Sequence, residues 1–135
     1  MSVNEELLRS VMSHIETWPN LLDSTKWRCG TSRCFAGWTA ELSGATWLYD
    51  SEDMGAIEID GHHELRYAIV STPAGRVQHV EYYATEMLGI SEDAAEQLFD
   101  GDTTVSELRE MVNNLCDFGT VYDAAPKTQA EVTAP

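Results

Sequence analysis

Apolar side chains at Val3, Leu7, Leu8, Val11, Met12, Ile15 and Trp18 recur at intervals of three and four residues. That spacing lays them along one stripe of an α-helix. Ser2 and Glu5 have capping-box spacing at its start, and Pro19 ends it. A polar loop over 20–33 follows. The next helix is expected over 34–42, stopped at Gly44, with large Phe35, Trp38 and Leu42 among small Ala36, Gly37 and Ala40. Glycine inside a helix costs about 1 kcal/mol relative to alanine, so Gly37 implies close packing of another backbone.

From 45 to 72 the period changes. Asp50, Glu52, Asp53 and Met54-Gly55 read as loop. Ile57 and Ile59 alternate with polar residues, Asp60-Gly61 has the composition of a two-residue turn, and Leu65, Tyr67 and Ile69 alternate on the return. A small β-hairpin is expected; a helix over 64–70 is the rival. The helical period then resumes. Pro73 suits an early helical position, and Val77, Val80, Ala84, Met87 and Leu88 form a stripe that Gly89 stops. Ser91 caps a short helix bearing Ala94, Ala95, Leu98 and Phe99, ended by Gly101. Thr104 and Glu107 form a second capping-box pair, opening a helix with Val105, Leu108, Met111, Val112 and Leu115 that closes near Gly119. The expected fold is mainly α, with α+β as the alternative: a compact bundle of about five helices with one small β-hairpin insertion. Residues 1–119 would form the domain and 120–135 a flexible tail.

Charge narrows the function. The 135 residues carry 23 acidic and 8 basic side chains, a formal net charge of −15. Direct binding of nucleic acid or an anionic membrane needs a basic face and is not expected. No apolar run approaches the roughly 18 residues of a membrane span, and no basic start precedes an apolar stretch as in a signal peptide. The three cysteines, Cys29, Cys34 and Cys116, are an odd set unlike a disulfide scaffold. A cytoplasmic protein without a cofactor is the expectation.

One segment reverses the charge. Residues 25–38 hold Lys26, Arg28 and Arg33, with no acid between Asp23 and Glu41, and also Cys29, Cys34, Trp27 and Trp38. A loop Cys29-Gly30-Thr31-Ser32 leading into a helix start would present unpaired amides to an anion, with Arg28 and Arg33 as a clamp and Gly30, Thr31 and Ser32 as backbone or cap contacts. The same position would lower the pKa of Cys34 and make it a weak catalytic candidate. Cys29 and Cys34 are also weak metal candidates, although C-x4-C lacks the usual zinc spacing and a second pair. The reading placed ahead of all three is structural: buried cysteines, a turn glycine, an ordinary cap, and arginines paired with acids.

Trp27-x-Cys29-Gly30-Thr31-x-x-Cys34-Phe35-Ala36-Gly37-Trp38 resembles a motif of small uncharacterised proteins from actinobacteria and their phages. The stretch Ala84-x-x-Met87-Leu88-Gly89-Ile90-Ser91, followed by Ala95-x-x-Leu98-Phe99, is similar to their second half. The resemblance spans roughly residues 5–117 and implies a phage or actinobacterial origin without a mechanism.

No nucleophile elbow, zinc-protease or phosphate-loop pattern occurs in the sequence. The expectation is a non-enzymatic acidic binding protein, phage-encoded and acting in the host cytoplasm on a host protein with a basic surface. That partner would include nucleic-acid-binding proteins if the carboxylates imitate a phosphate array. Trp27, Trp38 and Trp47 with Asp50, Glu52 and Asp53 are the candidate contacts. A small enzyme or an anion or nucleotide sensor using the Cys29–Cys34 loop, and a structural metalloprotein, are the alternatives.

Overall fold

A computed structural model describes residues 3–22, 28–29 and 32–121, the side chains of residues 21, 28, 29 and 32 excepted. Five α-helices are described: α1 Glu5–Thr17, α2 Phe35–Leu42, α3 Val80–Leu88, α4 Glu92–Leu98 and α5 Val105–Phe118. Between them run strands β1 Arg28–Cys29, β2 Ser32–Arg33, β3 Thr46–Trp47, β4 Ala56–Ile59, β5 His62–Leu65, β6 Ile69–Ser71 and β7 Val77–His79. All pair antiparallel: β1 with β2, β4 with β5, and β3-β6-β7 as a three-stranded sheet.

The architecture is therefore α+β, which corrects the expectation of a mainly helical bundle with one small hairpin. The hairpin exists: β4 and β5 flank Asp60-Gly61, and both turn residues take the positive φ of a type I′ turn (52° and 84°). Its return strand stops at Leu65, because a 3-10 turn over Arg66–Ala68 redirects the chain. Ile69–Ser71 then becomes the centre of the separate sheet. Residues 67–70 are buried on every side, so they show no polar alternation, and neither one continuous return strand nor a helix runs over 64–70: β5 ends at Leu65, the 3-10 turn follows, and β6 begins at Ile69.

The second correction lies before α3. Val77 falls on the helical stripe by spacing, yet it belongs to a strand. Thr72 ties the β6–β7 turn, its hydroxyl accepting from the Arg76 amide (3.1 Å) and its carbonyl from Gly75 (2.8 Å), with Gly75 at φ 88°. Only at Val80 does the helix begin. Pro73 accordingly lies in the turn.

The start of α4 at Ser91 and both ends of α5 follow the expected capping pattern, whereas α4 ends at Leu98, with Phe99 as its C-cap, ahead of Gly101. Thr104 and Glu107 form the reciprocal box that opens α5, and Gly119 in the left-handed region closes it. At α1 the cap is Asn4, whose side chain accepts from Leu7; Ser2 lies outside the described residues. Asn4 also donates to the Met87 and Leu88 carbonyls through its side chain (3.1 Å) and amide (2.8 Å), joining the start of α1 to the end of α3.

Two apolar clusters result. The larger joins Leu8, Val11 and Ile15 of α1 to Phe35, Leu88, Leu98, Leu108, Val112 and Leu115. The smaller packs the sheet against α2 and α3 through Ala40, Ala68, Val70, Val80 and Tyr83. Helix α2 contributes to both and is buried from Phe35 through Ala40. Val121 packs on the larger cluster and its carbonyl accepts from Asn114 (3.1 Å), so the described domain runs through residue 121. The remainder of the expected tail, 122–135, lies outside the described residues. No described helix is long and apolar enough to cross a membrane.

Candidate functional site

The basic segment is built into the scaffold where it is described. Arg33 donates from Nε to the Glu41 carboxylate at 2.9 Å, and the Trp47 indole N–H donates to the same oxygen at 3.0 Å. The guanidinium stands 5.2 Å from the Trp38 ring centre and 5.9 Å from that of Trp47. Only 13% of the Arg33 side chain is exposed. A cation enclosed by two rings and a carboxylate is neutralised where it stands. Arg28, Cys29 and Ser32 form the short β1–β2 ladder, with Arg28 opposite Arg33 and Cys29 opposite Ser32. Trp27, Gly30 and Thr31 lie outside the described residues.

Cys34 precedes α2 as its N-cap residue without a side-chain capping bond, and it is 2% exposed inside the larger core. That burial removes the solvent access a nucleophile needs. The other described thiol, Cys116, is half-buried; burial pushes its pKa up, Arg9 lowers it, and Glu5 and Asp117 raise it. Among the described residues no group of three or more metal-ligating side chains converges.

The aromatic and acidic candidates divide similarly. Trp38 is in the core and Trp47 seals Arg33. Asp50 accepts from the Glu52 amide at 2.9 Å, forming a local turn. Asp53 anchors the foot of the hairpin, accepting from the Gly55 amide at 2.9 Å and from Arg66 at 3.2 Å. Those bonds, the Gly55 amide foremost and then Arg66, hold its carboxyl below the ordinary aspartate value. Glu52 alone of these three acids is an exposed side chain without a described bond.

The feature that stands open lies elsewhere. Gly89, left-handed at φ 68°, ends α3, and Ser91 caps α4 by accepting from Ala94 at 3.1 Å. The three-residue connection sets the two helices at an angle around a groove of about 740 Å³. Glu81 and Glu86 line it from α3, and Glu92 and Glu96 from α4; Tyr82, Ile90 and Ala95 supply apolar surface, and no basic residue lines it. Tyr82 is 54% exposed.

Glu81 is pushed above the ordinary glutamate value first by burial, then by Glu64, Glu96 and Glu92. Among the described residues none of the four groove carboxylates makes a hydrogen bond or ion pair. A second groove, of about 420 Å³, runs between α4 and α5 past Asp100, Asp102, Glu107 and Glu110. There Asp100 accepts from the Asp102 amide (2.8 Å) and Glu107 from the Thr104 amide (2.9 Å). Two of its acids are thus committed to turn and cap, whereas, among the described residues, none of the four glutamates of the α3–α4 groove is.

No protein-family model, curated protein or solved structure matches the chain. Sequence reasoning missed Glu81, Tyr82, Glu86, Glu92 and Glu96 as a set. Glu92 is fully accounted for in the sequence by its place in the first turn of a helix. The convergence of α3 with α4 depends on Gly89 adopting a left-handed conformation, and the only signal was the Gly-Ile-Ser break itself.

Proposed function

We propose that the chain is a non-enzymatic binding protein that takes a basic segment of another protein into the α3–α4 groove. The observation that carries this reading is the concentration of four carboxylates, uncompensated by any basic lining residue, in a groove that an exposed tyrosine, Ile90 and Ala95 also line. Burial first, and then neighbouring carboxylates including Glu96 and Glu92, raise Glu81; a lysine or arginine side chain entering the groove offsets those charges, and its aliphatic stem or guanidinium can lie on Tyr82. Attraction by carboxylates of one sign also accelerates encounter with a basic partner. The burial of Cys34 and the enclosure of Arg33 leave a thiol enzyme or an anion sensor with less support.

The proposed origin follows the motif resemblance: a phage or actinobacterial protein, with a host protein as the partner and the host cytoplasm as the place of action. Capture from an actinobacterial lysate tests it with three forms of the chain. The wild type and a Glu58→Lys/Asp117→Lys control should retain the same basic protein, and Glu86→Lys/Glu92→Lys should lose it. The two variants alter net charge equally, so equal retention by all three, or equal loss by both variants, refutes the groove.

A further inference from the structure

We infer that His79 is a proton-sensitive helix cap that couples the pH of the medium to the shape and charge of the α3–α4 groove. His79 is the N-cap residue of α3, and its ring Nδ1 accepts the Glu81 amide proton at 3.0 Å. Serine, threonine, aspartate and asparagine perform this task with an oxygen that accepts at any pH near neutrality. An imidazole accepts only while that nitrogen is bare. The bond therefore assigns the neutral tautomer with its proton on Nε2, and an imidazolium, which donates from both nitrogens, cannot make it.

The surroundings set the direction. His79 pairs with apolar Ile69 in the sheet. The Tyr82 ring lies 5.8 Å from its own, Glu64 of β5 is the carboxylate acting on it, and Glu81 follows two residues later as the amide donor. Burial holds the His79 pKa below its ordinary 6.5, and Glu64 acts the other way. With a depressed folded value the cap is intact above the ordinary value and is lost as pH falls through the lower, folded one.

Loss of the cap reaches the groove directly, because the first turn of α3 carries Glu81 and Tyr82, both of which line it. Protonation also places a positive charge beside that turn. Falling pH brings Glu81 toward its raised value as well. All three changes diminish the attraction for a cation. The consequence for a partner rests on the proposed function; the cap itself does not.

The test is a nitrogen-15 NMR titration of the full chain from about pH 7.5 to about pH 5. The Glu81 amide shift should follow the midpoint of the His79 ring. In His79→Asn, which keeps a capping acceptor that does not titrate, the step at the ring midpoint should be gone, leaving only the drift from the Glu81 carboxyl itself at the acid end. A Glu81 amide that ignores the ring midpoint, or a neutral His79 with its proton on Nδ1, overturns the cap. A tri-arginine peptide reads the coupling: about fivefold weaker binding to the wild type at the acid end, with a smaller loss in His79→Asn. Equal losses in the two proteins overturn the coupling. If the peptide binds neither protein at any pH, the groove reading fails, while the amide titration still decides the cap.

Discussion

Replacing Arg33 with methionine should cost the fold about 2 kcal/mol. The substitution keeps an unbranched apolar stem between the Trp38 and Trp47 rings and removes the charge that Glu41 faces. Taking one partner from a fully buried ion pair costs about 3–5 kcal/mol, because the other charge is left without compensation. Glu41 remains 32% exposed and still accepts from the Trp47 indole at 3.0 Å, so water and one donor take up part of the loss. Two cation–π contacts, each worth about 0.5–1 kcal/mol, disappear, offset by the methionine that now fills the slot. In urea, with a slope of about 1–3 kcal/mol per molar, the unfolding midpoint should fall by roughly 1 M. Tryptophan fluorescence is the natural probe, since both flanking rings report on the site. Arg33→Met/Glu41→Gln should recover a substantial part of the loss, giving a coupling energy above about 1 kcal/mol. A change below about 0.5 kcal/mol in the single variant is what an exposed surface pair gives. It would refute the enclosed-cation argument and restore Arg33 as a candidate anion contact.

Further predictions concern separate parts of the chain. Gly61→Ala should destabilise the protein by about 1–2 kcal/mol, since Gly61 sits at φ 84° with open space around it and the cost is purely conformational; thermal unfolding checks this. A disulfide-exchange reagent near neutral pH should label Cys116 more slowly than a peptide thiol and should reach Cys34 only after unfolding, given its 2% exposure. Rapid labelling of Cys34 in the native state would reopen the thiol enzyme. Glu81→Gln should stabilise the fold at neutral pH. The raised folded value of Glu81 means the native state binds the proton before the unfolded chain does, so the wild type gains stability as pH falls through that value toward the ordinary 4.5. Denaturant midpoints measured across that interval should converge for the two proteins, and parallel curves would contradict the assignment.

Helices were legible because their signals are local. Leu8, Val11 and Ile15 repeat at the helical period, and Thr104 with Glu107 marks the start of α5 without any tertiary help. The β4–β5 turn was legible because Asp60-Gly61 accepts positive φ. The sheet was less so. Its strands have two or three residues, too few to show a period, and Ile69 and Val70 are buried on both faces. Val77 misled because one residue at helical spacing looks the same whether it begins a strand or begins a helix; the turn held by Thr72 decides it. In the candidate site the limit was different. Each glutamate of α3 and α4 is ordinary alone, and only the bend after Gly89 brings four of them around one groove. The basic segment drew the eye as a local reversal of charge, yet in Arg33 the reversal is answered by Glu41, eight residues on.

The location of binding tests the account most directly. Tri-arginine peptide titrated into the nitrogen-15-labelled chain at low salt should shift amides concentrated between Glu81 and Glu96, with saturation, and the shifts should vanish in Glu86→Lys/Glu92→Lys. Shifts spread evenly over the acids of Glu41–Glu64 and Asp100–Glu110, or persisting in that variant, would show that the peptide answers to net charge alone and would contradict a built anionic groove.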